Sequence, residues 1–458
     1  MEIIGYMQKK SNKKLALYAV IIILAVISSM LFPVGLYGDS EQFISMHLQR
    51  EPVYPLFISL FRLLFHSIDY LRVVVIVQSL LNGFAIIWVL QFTEKRYTIT
   101  FPVQLLFAIF LLMPHIVSPI FSQTHLILTC GIMNEAIALP LFLFFMTQIM
   151  SYVYDGKRKD AVSSIILAFL LSLTRGQMMV TLIVWIIVVS ARFIYLKKRL
   201  LILLIIGLGL FAFVARGLVY KSYNYLVNGA FVAGVCDNVN RVTNIIYASD
   251  RESGKYIQNE VARELFYEIY DASKEQGLLY TDAPDSLYYG TAHLEAAHDQ
   301  IKFNYILEIC NAYYYDNIGE DYLERNIWVD DRCREMVQGL WNHCFGRWTI
   351  NYLLLGYNGL CRTIGITHPL IWIPMGLILI FALVLCIRCL KQKRNYKECL
   401  LMLVSGLFIC GNAFATALFI MCLSRYMVYG FSFFYIALFL LMRGEFKRWT
   451  EKRKQNEL

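Results

Sequence analysis

The sequence predicts an all-α polytopic membrane protein: about ten transmembrane helices, interfacial helices in the first outer loop and a long, mostly helical outer loop. Three observations carry this. The 458 residues are 58% hydrophobic and only 16% charged, with a mean hydropathy of +0.54; soluble domains are about half apolar and carry about 25% charged residues. Apolar runs long enough to cross a bilayer recur along the chain. Lys and Arg fall in short clusters between those runs, the pattern that sets orientation in a membrane.

Approximate limits of the spans are 15–37, 71–92, 101–121, 127–150, 161–175, 177–195, 200–218, 369–388, 398–422 and 426–443. Lys9, Lys10, Lys13 and Lys14 precede the first. Its length, with no small-residue cleavage site, reads as a span rather than a signal peptide. Residues 40–50, SEQFISMHLQR, form an interfacial helix that Pro52 and Pro55 stop. The apolar stretch 53–66 is too short to span and lies in the outer interface. The fifth and sixth spans share a tight turn around Arg175. Residues 219–368 are rich in Tyr, Asp, Glu and Asn, and in YIQNEVARELFYEIYDA the residues Ile257, Val261, Leu265 and Ile269 form an apolar stripe. The chain divides into an N-terminal membrane region, 1–218, an extracytoplasmic helical region, 219–368, and a C-terminal membrane region with a basic cytoplasmic tail, 369–458.

With the N-terminus placed in the cytoplasm, each inner turn is basic: Lys95/Arg96, Lys157/Arg158/Lys159, Arg192 to Arg199, Arg388 to Lys397 and Arg443 to Lys454. The outer turn 114–126 contains no Lys or Arg. This obeys the positive-inside rule and places both termini inside a plasma membrane. The net charge of +9 is thereby spent on orientation, and no basic stripe interleaved with aromatics points to nucleic acid. Cys236, Cys310, Cys333, Cys344 and Cys361 lie in the long polar segment, where an oxidising compartment would allow one or two disulfides. Cys386 and Cys389 read as interface thiols rather than a metal pair.

Ionisable residues gather on the outer side. Asp39 sits where the first span leaves the bilayer, followed by Arg50; Glu135 lies inside the fourth span, about two turns below its outer end, beside Asn134. Arg175 in LSLTRGQMM and Arg425 with Tyr426 in LSRYMVYGF break apolar runs at outer turns, and His115 and His125 flank the turn between the third and fourth spans. Charge in hydrocarbon is costly, so two carboxylates and three guanidiniums at one depth point to a site for an anionic substrate with a proton-transfer step. Structural alternatives exist for each: Asp39 as a helix cap, Glu135 as a partner for an Arg, the arginines as snorkels to headgroups. The tyrosines of NAYYYDN, residues 311–317, read as loop packing.

GDSEQFISMHLQREPVYPLF, with Gly38, Asp39, Arg50, Pro52, Tyr54 and Pro55, resembles the first outer loop of GT-C class membrane glycosyltransferases, which include dolichyl-phosphate-mannose protein mannosyltransferases and lipid A aminoarabinose transferases. LILTCGIMNEAIALPLFLF resembles their fourth-helix pattern, with Asn134 where the class has Ser or Thr, and SRYMVYGFSFFYIALFLL is similar to the Arg-Tyr that opens a late helix. The resemblance implies transfer of a sugar from a polyprenyl-phosphate donor to a glycan, lipid or protein acceptor outside the cytosol; the short inner loops and the lack of an organelle signal point to a bacterial plasma membrane. It makes Asp39 the catalytic base, and Arg50, Arg175 and Arg425 the candidates for the donor phosphate, with Glu135 and Tyr426 in substrate binding. Some members of the class use a divalent metal; Glu41 and His47 are the candidate ligands, without a spacing that compels one. An O-antigen-type polymerase or ligase is an alternative, although such enzymes concentrate arginines in the large loop. A transporter or flippase of lipid-linked sugars is another, although the two halves of this chain do not match.

Overall fold

Proline decides where the first helix ends. In the computed structural model, which describes residues 2–66, 69–121, 127–365 and 372–456, helix α1 (Glu2–Leu31) stops ahead of Pro33, whose ring pushes the preceding residue out of the helical region. The expected span of 15–37 is therefore shorter at its C-terminal end. Gly35 instead forms a parallel bridge to Gly131: Gly35 N–H donates to Cys130 O at 2.9 Å, and Ile132 N–H donates to Gly35 O at 2.9 Å. That pairing keeps 131–132 out of any helix and leaves only a 3-10 turn at Leu128–Cys130, so the α-helix of the fourth span begins at Glu135 rather than 127. Glu135 is consequently the first residue of α6 (Glu135–Asp155), not a residue two turns inside it.

Between these come α2 (Ser40–Ile44) and α3 (Val53–Leu64). The interfacial helix expected over 40–50 is only five residues long; Met46 adopts φ +58°, which ends it. Pro52 and Pro55 begin α3 instead of stopping a helix, since a proline in the first turn gives up no intrahelical bond. The chain continues through α4 (Tyr70–Arg96), α5 (Phe101–Phe121), α6, α7 (Arg158–Thr174), α8 (Val180–Tyr195) and α9 (Leu200–Asn228), and later through α15 (Trp372–Lys391), α16 (Tyr396–Ala417), α17 (Ser424–Met427) and α18 (Phe431–Asn456).

The chain is an all-α polytopic membrane protein. Among the described residues 8 helices are long and apolar enough to cross a bilayer, not ten. The expected spans 101–121 and 161–175 are present as α5 and α7, but the described apolar stretch of α5 ends at Ile116 and α7, of 17 residues, opens with Arg158, Lys159 and Asp160. His125 and the 368/369 division lie outside the described residues.

Two compact units emerge: Met1–Tyr220 with Cys361–Asn412 and Ser424–Leu458, and Lys221–Leu360 with Ala413–Leu423. In the first, α4 packs on α1 and α6, and α6 on α7. The core that carries the outer loop joins Phe43, Tyr54, Ile58, Val74, Val75, Cys130, Ile132 and Ile137. Gly156 closes α6 at φ +71°, where a Cβ would run into the Arg192 guanidinium, so glycine is required twice over.

The second unit holds α10 (Asp237–Ala248), α11 (Glu260–Glu275), α12 (Leu287–Gln300), a π-helical turn (Ile301–Leu307), α13 (Glu308–Asn317) and most of α14 (Tyr322–Ile364). Helix α11 buries Ala262, Leu265, Phe266, Ile269, Tyr270 and Ser273. Its stripe alternates steps of three and four, as 3.6 residues per turn requires, so Val261 falls to its edge and the buried Ile257 precedes the helix. All eleven cysteines are free thiols, and the disulfides that the sequence allows in 219–368 are not formed.

Candidate active site

All six residues singled out by charge and motif belong to the first unit, and the structure brings them into one cluster. Asp39 is the N-cap of α2 by position, yet its side chain makes no capping bond. The carboxylate turns to arginines instead. Arg50 Nη2 donates to Asp39 Oδ1 at 2.5 Å, and Arg425 Nη2 lies 3.5 Å from Oδ2. Arg50 is aimed by Gln42, whose Oε1 accepts from Nε at 2.8 Å, and by the Phe43 ring 4.8 Å below its guanidinium.

Glu135 is the deeper carboxylate, with 1% of its side chain exposed against 34% for Asp39. Its Oε1 is 2.7 Å from Arg175 Nη1 and 3.9 Å from Arg425 Nε. Neither oxygen has an aligned hydrogen-bond donor among the described residues, so these contacts are ion pairs off the N–H axis. Arg175 caps the C-terminus of α7 and spends its aligned donors elsewhere: Nη1 to Asn134 Oδ1 at 3.0 Å and Nε to Gln177 Oε1 at 2.8 Å. Both Arg175 and Arg425 lie over the Tyr426 ring, at 4.4 and 4.9 Å, and Arg425 also donates to the Tyr426 hydroxyl at 2.9 Å. Among the described residues Arg425 is thus the one group that touches both carboxylates.

The cluster sums to three guanidiniums against two carboxylates. Burial alone pushes the Asp39 carboxyl up, but Arg50 and Arg425 beside it, with Arg175 behind, outweigh burial and hold it below the ordinary carboxylate range. Asp39 is therefore ionised at neutral pH, and the site is cationic overall, with three guanidiniums around it. Exposure ranks the groups for contact with a substrate: Asp39 first, then Arg50 at 21% and Arg425 at 20%, with Arg175 at 11% and Glu135 innermost.

Neutral side chains that sequence reasoning passed over hold this arrangement. Gln78 of α4 donates to the carbonyls of Thr129 and Gly131 at 2.7 and 2.9 Å and accepts from Tyr54 Oη at 3.2 Å. Asn82 donates to Ala136 O at 2.7 Å. Gln177 reaches Asn412 Oδ1 at 3.0 Å and Tyr426 O at 2.8 Å, which ties the α7–α8 turn to the Arg425 segment. Glu51 and Arg216 form a second pair at 3.8 Å, and Glu51 Oε1 lies 2.8 Å from where a Cβ on Gly176 would stand. The available signal for most of these was an amide inside an apolar run.

Glu41 is exposed, and His47 uses Nδ1 to accept from Gln49 N at 3.3 Å. Among the described residues no group of three or more His, Cys, Asp and Glu side chains converges as a metal would need. Glu41 and His47 belong to no such group among the described residues. His115 is buried, with neither ring nitrogen partnered among the described residues, and stands apart from the contacts above.

No protein-family model and no curated protein matches the chain. Among solved structures it is similar to the archaeal oligosaccharyltransferase AglB from Archaeoglobus fulgidus, in complex with an inhibitory peptide and a dolichol-phosphate, at 11% identity and a TM-score of 0.38. The match covers 96% of this chain and 51% of that one, so the chain spans about half the length of the protein it resembles. A likeness of that degree says nothing of this chain's activity.

Proposed function

We propose that the protein is a membrane glycosyltransferase that moves a sugar from a polyprenyl-phosphate donor to an acceptor hydroxyl on the non-cytosolic face of a plasma membrane. The observation that carries the reading is the sharing of Arg50 and Arg425 by a partly exposed, ionised Asp39. A base needs an accessible lone pair, and a departing phosphate needs fixed cations; here the two stand side by side.

Asp39 takes the acceptor proton as the acceptor oxygen attacks the anomeric carbon. The bond from that carbon to the phosphate oxygen breaks, and the donor phosphodiester leaves as a phosphate monoester with one more negative charge. A single displacement inverts the anomeric centre. Arg425 and Arg50, planar forked donors, suit that growing charge. Arg175 holds Glu135 and stacks on Tyr426, which fixes Arg425 from the far side. Glu135 thereby acts as a positioning residue, and its depth keeps it away from the transferred proton. The hydrocarbon retains the donor's lipid while its head reaches these outer residues.

The test uses purified protein in detergent with a radiolabelled polyprenyl-phosphate sugar and an extract of envelope glycans and lipids. Wild-type protein is expected to move label to an acceptor. Asp39→Asn is expected to lower turnover by about 10²–10⁴-fold, the usual worth of a positioned base, with insertion and thermal unfolding preserved. Full activity of Asp39→Asn would remove Asp39 from the base role. Lipid-linked label that crosses a vesicle membrane without changing its covalent partner would mark a flippase instead.

A further inference from the structure

Helix α18 changes character at Met442. No side chain from Ser432 to Leu441 is exposed, as suits a span running through the middle of a bundle. Past that point large apolar side chains face outward: Met442, Phe446 and Trp449 are all exposed. Their spacing of four and three puts them in one stripe. The Phe446 and Trp449 rings meet at 6.1 Å, and the Arg453 guanidinium continues the stripe 5.8 Å from the Trp449 ring.

A neighbouring turn sets the level of this stripe. Arg448 Nη1 donates to Gln392 Oε1 at 3.1 Å, and Arg394 lies 3.6 Å from Glu445. Gln392 and Arg394 belong to the turn that joins α15 to α16. An irregular turn between two spans stands where they leave the hydrocarbon. Phe446 and Trp449 therefore lie at that boundary, not at mid-span.

Charge flanks the stripe. Residues 443–454 include six cations and two carboxylates. At about 100° per residue, Arg443, Lys447 and Lys454 fall on one side of the stripe, Arg448 and Lys452 on the other, and Glu451 on the opposite face. Glu445 is taken by Arg394, and Glu451 reaches Lys447 only at 3.9 Å. Arg443, Lys452 and Lys454 have no ion-pair partner among the described residues. The turn adds Lys391 and Lys393, both exposed.

Orientation of the spans asks for cations near this end. It does not ask for an aromatic stripe framed by them. In water the stripe would leave three large apolar side chains bare, and in hydrocarbon the flanking cations would be costly. The boundary of an anionic leaflet suits both, with the rings at the acyl edge and the cations among phosphates. We propose that the last turns of α18, with the α15–α16 turn, form a docking surface for anionic phospholipid headgroups of the membrane the protein spans. Nothing in this contact draws on the transfer chemistry.

The experiment places the purified full chain in phosphatidylcholine vesicles that carry a brominated lipid, either phosphatidylglycerol or phosphatidylcholine. Quenching of Trp449 is read as the difference between wild type and Trp449→Phe. Phosphatidylglycerol is expected to be preferred about tenfold, the worth of one or two cations beside an anionic surface, and the preference is expected to fall with salt. The triple variant Lys447→Gln, Lys452→Gln, Lys454→Gln is expected to bring the ratio close to one. All three side chains are exposed, so its thermal unfolding is expected to match wild type. Glu451→Gln, which removes an acid from the patch, is expected to raise the preference about twofold. Equal quenching by the two lipids in wild type would overturn the headgroup contact. Quenching of Trp449 by neither lipid would overturn membrane docking altogether. A two-chain particle in detergent that Trp449→Ala reduces to one chain would overturn it in favour of a second copy on the stripe. Turnover is not measured, so the outcome is independent of Asp39.

Discussion

Asp39 and a donor phosphate compete for the same two guanidiniums. In the structure the carboxylate holds Arg50 at 2.5 Å and Arg425 at 3.5 Å, so an arriving anion has to share or displace it. Two outcomes are expected. Asp39→Asn should bind a short polyprenyl phosphate several-fold more tightly than wild type while failing to turn over, since it removes a competing charge and leaves the arginines; weaker binding would show that Asp39 helps hold the donor. The pH profile gives the second. Arginine contacts hold the free carboxyl below its ordinary value of 3.8, so it stays ionised until pH falls through that depressed value, and the stability it contributes, full above the ordinary value, is lost as pH falls from there through the depressed one. The acid limb of kcat/KM, which reports the free protein, should therefore lie below the ordinary carboxylate range. Once phosphate occupies the arginines, Asp39 loses cations and gains an anionic neighbour, which raises its pKa. The acid limb of kcat should then lie at higher pH than that of kcat/KM. Coincident limbs would count against the exchange.

At the scale of elements, the position of Glu135 depends on a stretch that is not α-helical, a 3-10 turn at Leu128–Cys130 followed by a bridge. Residues 127–134 are as apolar as a spanning helix, which is why the sequence reads as continuous there. The competitor was non-local: the Gly35 backbone pairs with 130–132, and Gln78 from α4 satisfies the carbonyls that pairing leaves free. A single sequence carries no trace of that partnership. The charged members of the cluster were legible for the opposite reason, since an ion in an apolar run stands out whatever its partners are. Pro52 shows the same limit, because a proline looks alike whether it ends one helix or begins the next. Gln78→Leu tests the buttress. It leaves two buried carbonyls without donors at about 1–3 kcal/mol each, so it should lower the unfolding temperature in detergent and reduce kcat through Glu135 and its arginines. Wild-type melting and turnover in this variant would remove Gln78 from that role.

Over the whole molecule, charge is segregated by unit. Lys221–Leu360 is acidic, while the remaining sequence carries 31 of the 42 basic residues. In the membrane unit most of these cluster at one set of helix ends, and several are tied to acids there: Arg96 forks onto Asp155 at 2.6 and 2.7 Å, Lys14 pairs with Glu94, and Arg394 lies 3.6 Å from Glu445. Retention of short basic turns in the cytoplasm sets the orientation of the spans, whereas a long acidic region crosses regardless of its charge. The proposed chemistry needs that orientation, which would put the turns that carry Asp39, Arg175 and Arg425 on the outer side. Impermeant thiol labelling of intact cells reads it directly. Tyr280→Cys, in the acidic unit, should be labelled from outside, and Lys393→Cys, in the α15–α16 turn, only after the membrane is opened, each measured against the native thiols, of which only Cys410 is exposed. Labelling in the reverse order would put the arginine cluster on the cytoplasmic side and sink transfer on the outer face.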